Sequence, residues 1–151
     1  MDVTVIHSKR EYLWAVPYPF EEQSAAEVFP YIQSIWPPEQ YQAGVGSYIA
    51  LEKIQAKRFD VYDGLYTPAV GSKKQGHILL KPEGDYVCGY LKGKWDRLPQ
   101  LYEKMLDYAR AHQLQLTGYA FERELNDFAI ADEKGSVTQV VIPIACCQDE
   151  S

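Results

Sequence analysis

Apolar and polar residues alternate between extended and helical spacing along the first half of the chain. Residues 3–18 are rich in β-branched and aromatic side chains and predict extended chain, which Pro17 and Pro19 end. Residues 24–36 predict a helix, with a capping-box pattern at Ser24 and Glu27. Its helically spaced apolar positions are Ala25, Val28, Phe29, Ile32 and Ile35. Pro30 predicts a kink or an irregular first turn, and strands are expected near 44–52 and 58–69.

The second half predicts the same order of elements. Residues 77–91 are extended around a turn at residues 82–84. Residues 96–112 predict a helix, with Asp96 as its cap and Pro99 in the tolerated first turn. The apolar stripe of this helix comprises Leu98, Leu101, Met105 and Ala109. Strands are predicted near 114–125 and 136–145.

The two halves align with each other. Tyr12 and Tyr86 are 74 positions apart, as are Gly44 and Gly118, while Pro68 aligns with Pro143 one residue further on. We therefore predict one α+β domain over residues 1–151, with half-repeats of about 1–70 and 75–148. Two βαββ units would form one curved antiparallel sheet around a pseudo-twofold axis. Both helices would cover one face and leave a groove on the other, at the seam between the halves.

Composition and charge exclude several classes of function. A net charge of -6 and a pI near 5.0 argue against nucleic-acid binding by this chain alone. The three cysteines and three histidines show no metal-ligand spacing, and the motifs of nucleotide binding and nucleophilic catalysis are not found, so no metal or cofactor is expected. Reduced cysteines and the lack of a long apolar run or a leader favour a cytoplasmic protein without membrane contact.

The stretch LTGYAFEREL contains the residue most suited to bind a ligand, Glu122. Strand alternation puts Glu122 on one face with Ala120 and puts Phe121 on the other. In an apolar pocket this acid would complement a lipophilic cation, whose contacts with aromatic faces add roughly 0.5–2 kcal/mol each. The alternative is a solvated strand end paired with Arg123, a lysine or water, and the pattern alone favours it. The repeat aligns Glu122 with Tyr48.

Tyrosines are abundant, with 12 in the chain against 5 Phe and 3 Trp. Tyr62 and Tyr66 are predicted to share one strand face, and Tyr86 shares a face with Tyr90. A groove lined by these rings would suit flat aromatic ligands, whereas the alternative is cross-strand packing. Trp95 precedes the second helix, as a pocket rim or as a hydrophobic staple. Tyr102 is expected in the core or on the helix surface, together with Tyr12 and Tyr108.

The segment PEGDYVCGYLKGKWDRLPQLYEKMLDYARAHQLQLTGYAFEREL, followed by VVIPI, resembles the GyrI-like effector-binding domain. That domain is the ligand-binding part of many MerR-type and AraC-type multidrug-response regulators. The resemblance covers almost the whole chain and implies a twofold-repeat sheet with a central aromatic pocket. The glutamate of that pocket falls on Glu122, and Tyr62, Tyr66 and Tyr86 would stack on the ligand. The chain departs from the family near Val137, where members often have a tyrosine.

The leading hypothesis is a multidrug-sensing domain for hydrophobic, cationic aromatic compounds, without catalysis. Its proposed ligand-binding residues are Glu122, Phe121, Tyr62, Tyr66, Tyr86, Trp95, Tyr48 and Ala120. DNA would be reached only through a helix-turn-helix domain absent from this chain, and the full regulator would act as a dimer. A GyrI-like hydrolase of reactive genotoxins is the alternative, with Glu122 as general acid or base. A protein-interaction module, as in relatives that bind a topoisomerase, ranks last.

Overall fold

The computed structural model describes residues 2–21, 28–59, 61–70, 74–93, 97–125 and 137–145. Its eight strands are β1 (Asp2–Ser8), β2 (Glu11–Glu21), β3 (Gly46–Ala50), β4 (Val61–Pro68), β5 (His77–Lys81), β6 (Gly84–Lys92), β7 (Tyr119–Glu124) and β8 (Val137–Pro143). Its helices are α1 (Val28–Ile35), α2 (Pro38–Tyr41), α3 (Leu51–Gln55) and α4 (Leu98–Ala111).

The strands form one antiparallel sheet in the order β1-β6-β8-β7-β3-β4-β2-β5. Reading this order backwards exchanges β1 with β5, β2 with β6, β3 with β7 and β4 with β8, so the sheet has a pseudo-twofold axis at the β3–β7 pair. The α+β fold class is confirmed. Each half carries one more strand than expected, because the extended run at 3–18 divides into β1 and β2 at Lys9 and Arg10.

The sheet is strongly curved. Only Pro82 and Glu83 separate β5 from β6, yet β5 is one edge of the sheet and β6 lies next to the other edge. The sheet must therefore bend until these two regions approach each other. As a result, Lys81 Nζ of β5 lies 5.4 Å from the ring centroid of Tyr86 in β6. The face inside this bend is called the concave face; its buried residues are Leu13, Ala15, Tyr48, Tyr66, Tyr86, Cys88, Phe121 and Val141.

The opposite face, called the helix face, carries α1 and α4. The predicted stripe of α4 is buried there and packs on Val87, Val140 and Ile142 of the sheet. Gly89 allows this close approach, because a Cβ at that position would lie 2.8 Å from Leu101 and 2.9 Å from Met105 Sδ. In the first half, Ile32 of α1 and Trp36, the residue after α1, pack with Leu65 of the sheet.

The helix starts agree in part with the sequence signals. Pro99 is the second residue of α4, where a missing N–H breaks no helical bond, and Pro30 lies within α1. The predicted caps Ser24, Glu27 and Asp96 lie outside the described residues. Within the described part of the chain, none of the helices has the length and apolar character needed to cross a membrane.

Candidate functional site

Glu122 lies in the middle of β7, at the seam between the two halves, and only 5% of its surface is exposed. It faces Ser47 across the β3 pairing and Val140 across the β8 pairing, and it shares the helix face with Ala120. Phe121 points to the concave face, as alternation predicted. Glu122 is therefore a buried acid in the centre of the domain and not a solvated strand end.

Two tyrosine hydroxyls donate hydrogen bonds to the Glu122 carboxylate, one to each oxygen. The Tyr62 hydroxyl donates to Oε1 at 2.8 Å, and the Tyr102 hydroxyl donates to Oε2. These charge-assisted bonds offset part of the cost of burying a carboxylate. The polar group is held between one strand, β4, and one helix, α4, which belong to different halves of the repeat.

Tyr102 is the residue that joins the acid to the core. Its side chain is fully buried, and its ring stacks on Phe59 with centroids 5.3 Å apart and planes 4° apart. Burial raises the pKa of Tyr102 well above its ordinary value, and the charge of Glu122 raises it further. The hydroxyl therefore stays protonated at neutral pH and acts as a donor.

Sequence reasoning placed Tyr102 only in the core or on the helix surface and did not connect it to the acid. A signal was present, because Tyr102 lies beside Leu101 and three positions before Met105, within the buried side of α4. A tyrosine in such a stripe must find a hydrogen-bond partner for its hydroxyl. Glu122 is that partner.

The other predicted aromatic residues are not gathered around Glu122. Four of them lie in the cluster of the concave face: Tyr48, Tyr66, Tyr86 and Phe121. The prediction that the acid and these rings line one groove on the face without helices is therefore wrong. Glu122 lies under the helices, and the sheet separates it from these rings. Trp95 lies outside the described residues.

Tyr62 and Tyr66 were predicted to share a strand face, but their rings belong to different clusters. Tyr62 packs with the helix-face core, whereas Tyr66 packs in the concave face. The ladder between β3 and β4 covers only Gly64, Leu65 and Tyr66 of β4, and the β2–β4 register shifts close to the same place. There Asp63 accepts bonds from the backbone N–H of Ala50 at 2.7 Å and from Lys53 Nζ at 2.8 Å. This local irregularity interrupts strand alternation.

The Tyr66 ring crosses over Gly46 and reaches β7, the strand that contains Glu122. A Cβ at Gly46 would lie 2.3 Å from the Tyr66 ring and 2.4 Å from the Glu122 carbonyl oxygen. The Tyr66 hydroxyl donates to that carbonyl at 3.3 Å. Burial raises the pKa of Tyr66 above its ordinary value, so this hydroxyl also remains protonated. Gly46 is thus required for the space it leaves.

The predicted equivalence of Tyr48 and Glu122 does not keep the two side chains on one face of the sheet. Tyr48 packs in the concave face, whereas the Glu122 carboxylate bonds to Tyr102 on the helix face. The aligned tyrosines Tyr12 and Tyr86 also differ, because Tyr12 is 49% exposed and Tyr86 is 1% exposed. The repeat holds for the order of the elements. An error of one position in a strand moves a side chain to the opposite face.

Among the described residues, no three His, Cys, Asp or Glu side chains are grouped closely enough to hold a metal ion. The arrangement at Glu122 instead offers a negative charge with two hydroxyl donors and neighbouring rings. These are the features of a site for a cation or for proton transfer.

Several solved structures share the fold of this chain. The C-terminal domain of EcmrR matches with a TM-score of 0.70 at 12% identity, over 95% of this chain and 97% of that domain. SAV2435 bound to tetraphenylphosphonium matches with a TM-score of 0.61 at 13% identity, over 97% and 95% of the two chains. A hydrolase encoded by lin2189 from Listeria innocua matches with a TM-score of 0.60 at 11% identity, over 95% and 91%.

EcmrR is also matched in a cryo-EM structure of its complex with DNA, where this chain spans 57% of that longer protein, with a TM-score of 0.67 at 12% identity. Neither a protein-family model nor a curated protein sequence matches the chain. The structural matches show that the chain has the GyrI-like effector-binding fold implied by the resemblance. At identities this low the likeness shows the fold alone.

Proposed function

We propose that this chain is a small-molecule effector-binding domain for lipophilic aromatic cations, with Glu122 as the counter-charge. The observation that carries the proposal is the burial of this carboxylate at the seam of the repeat, between Tyr62 and Tyr102. Support comes from SAV2435, which has the same fold and was solved with tetraphenylphosphonium bound. Trp95 and Ala120 remain proposed members of the same site.

The energetics favour a cation over a neutral ligand. Hydroxyl donors stabilise the carboxylate oxygens but leave the negative charge in place, whereas a bound cation would neutralise it. At 4 Å and an effective dielectric constant near 20, the attraction is about 4 kcal/mol before desolvation is subtracted. Contact with an aromatic face would add roughly 0.5–2 kcal/mol. Tyr62 and Tyr102 provide both the hydroxyls and the nearest rings.

Within a regulator, the domain would act through the difference in ligand affinity between two conformations. The EcmrR chain found in complex with DNA is longer than this domain, which is consistent with such a division of labour. DNA contact would then belong to another part of the regulator, in keeping with the acidic pI near 5.0 of this chain.

A matched probe pair tests the proposal. 1-Pyrenemethylammonium and 1-pyrenemethanol share one ring system and differ in charge, and binding of both can be followed by fluorescence titration. We expect Glu122→Gln to lower the affinity for the cation by about 10- to 100-fold and the affinity for the alcohol by less than about 3-fold. Glu39→Gln, an exposed change on α2 with the same loss of charge, should alter neither. Equal losses for both probes in Glu122→Gln would contradict the proposed role of the charge.

A hydrolase is the second candidate, because a carboxylate between two hydroxyls can donate or accept a proton. The Listeria innocua protein of the same fold is named a hydrolase. The two functions are separated by incubating the chain with a ring-strained aromatic electrophile and analysing the mixture by mass spectrometry. A hydrolysed product that disappears in Glu122→Gln would establish the enzyme, whereas saturable binding without product would favour the sensor.

A further inference from the structure

The concave face, on the other side of the sheet from Glu122, holds a lysine over aromatic rings. The Lys81 side chain is only 15% exposed. Its Nζ lies 5.4 Å from the Tyr86 ring centroid and 5.9 Å from that of Phe121. In the part of the chain that the structure describes, its one carboxylate neighbour is Glu11, at 3.9 Å. That separation is close to the limit for an ion pair, so ring faces hold much of this ammonium group.

Arg123 brings a second positive charge to this face. It lies two positions after Phe121 in β7, so alternation places it on the same side of the sheet. Its Nε donates to Gln139 Oε1 at 3.3 Å, and no carboxylate among the described residues pairs with it. The Gln139 amide nitrogen in turn donates to the Tyr90 hydroxyl at 3.3 Å. The terminal nitrogens of the exposed guanidinium therefore remain available to an incoming acceptor.

The two cations act on each other. Burial lowers the pKa of Lys81, the Glu11 carboxylate partly opposes this effect, and the charge of Arg123 lowers the pKa further. Hydrogen bonds join Arg123 Nε to Gln139 and Gln139 to the Tyr90 hydroxyl, which places the guanidinium beside this aromatic surface. Two like charges on a half-buried aromatic surface are unfavourable without an anion, and an anion bound between them would remove the repulsion.

We propose that the concave face is a second ligand site, specific for planar aromatic anions such as carboxylates and sulfonates. The anionic group would lie between Lys81 and Arg123, where a planar guanidinium fits a carboxylate. The ligand ring would pack on the half-buried Tyr90 and Tyr119 at the rim of the bend. This site is separate from the cation site proposed on the helix face. The sheet lies between them, and they share no side chain.

Pyrene-1-carboxylate is a suitable probe, because it keeps the ring system used for the cation site and reverses the charge. We expect Arg123→Gln and Lys81→Gln each to weaken its binding by about 5- to 20-fold. Arg110→Gln is the matched control, because Arg110 is an exposed arginine of α4 paired with Asp107 and lies outside the site. Arg110→Gln should change the affinity by less than about 2-fold.

A gain of affinity provides a test that misfolding cannot imitate. Glu11→Gln removes the carboxylate that competes for Lys81, so the affinity for pyrene-1-carboxylate should rise by about 2- to 5-fold. The proposal is overturned if the native chain does not bind the anion, or if Arg123→Gln binds it as tightly as Arg110→Gln does. Displacement of bound pyrene-1-carboxylate by 1-pyrenemethylammonium would also overturn it, since both probes would then occupy one site.

Discussion

Replacing Tyr102 with phenylalanine tests the central contact of the helix face. The change removes one hydroxyl and keeps the ring, so burial and the stacking on Phe59 are preserved. What is lost is a buried hydrogen bond to a carboxylate that is 5% exposed. Hydrogen bonds to charged groups contribute about 1.5–3 kcal/mol. We therefore expect Tyr102→Phe to lower the free energy of unfolding by that amount, and the melting temperature by about 3–10 °C.

Urea unfolding at pH 7, followed by tryptophan fluorescence and circular dichroism, measures this loss. A double-mutant cycle with Glu122→Gln isolates the contact, because a neutral amide gains less from the hydroxyl than a carboxylate does. The coupling free energy should be about 1 kcal/mol or more. Tyr108→Phe is the control: Tyr108 is a half-buried residue of the same helix whose ring packs on His112. The loss of unfolding free energy in Tyr108→Phe should remain within about 0.5 kcal/mol.

An equal loss of unfolding free energy for Tyr102→Phe in the native and Glu122→Gln backgrounds would contradict the prediction. A loss equal to that of Tyr108→Phe would contradict it as well. Either result would mean that the Tyr102 hydroxyl does not stabilise the charge of Glu122. The polar pair would then be an ordinary part of the core, with no preference for an ionised group.

Three further changes have expected outcomes. Gly46→Ala should lower the free energy of unfolding by at least about 1–3 kcal/mol, since the new Cβ would meet the Tyr66 ring and the Glu122 carbonyl; a loss below about 0.5 kcal/mol would refute this. Burial raises the pKa of Tyr86 to about 12, above its ordinary value of 10.0, and raises those of Tyr66 and Tyr102. The pKa of each of these tyrosines is higher in the folded chain than in the unfolded chain. Their contribution to the free energy of unfolding is therefore complete below pH 10 and is lost as the pH rises from about 10 to 12. The urea midpoint should decrease over this pH range as tyrosinate absorbance appears. Full ionisation of the tyrosines at pH 10 in a folded chain would contradict this prediction. Lys81→Met should leave the urea midpoint at pH 7 unchanged or raise it. The reason is that the lowered pKa of Lys81 means that its buried ammonium opposes folding below about pH 10.5. A clear decrease of the midpoint would show that the contacts of Lys81 with Glu11 and the rings outweigh the cost of burying the ammonium.

Much of the fold could be predicted because its signals are local. The stripe of α4 follows from helical spacing, and the turn at residues 82–84 follows from its proline and glycine. The repeat was also visible in sequence, and the symmetric strand order confirms it. The pattern made Glu122 a candidate but favoured a solvated strand end, and only the resemblance to the GyrI-like domain implied a pocket acid. The helix stripe and the turn need only neighbours along the chain, whereas the repeat needs a comparison of its two halves.

The composition of the site could not be predicted in the same way. Tyr102 reaches Glu122 only because α4 crosses β7 on the helix face, which is a tertiary contact between residues 20 positions apart. Tyr62 leaves the face of Tyr66 at an irregularity near Asp63, where Asp63 accepts hydrogen bonds from Ala50 and Lys53. Neither effect has a pattern in the sequence. The curvature that brings Lys81 over Tyr86 likewise depends on the order of all eight strands.

Strand parity explains why one predicted pocket divides into two surfaces. In β7, Phe121 and Arg123 point to the concave face, while Glu122 between them points to the helix face. Three consecutive residues therefore contribute a ring and a positive charge to one side and a negative charge to the other. A sheet is a single layer, so charges of opposite sign can lie close together in sequence and still contact different ligands. A shift of one residue in the β3–β7 register would exchange the two surfaces, which is why the identity of each site depends on that pairing and not on composition.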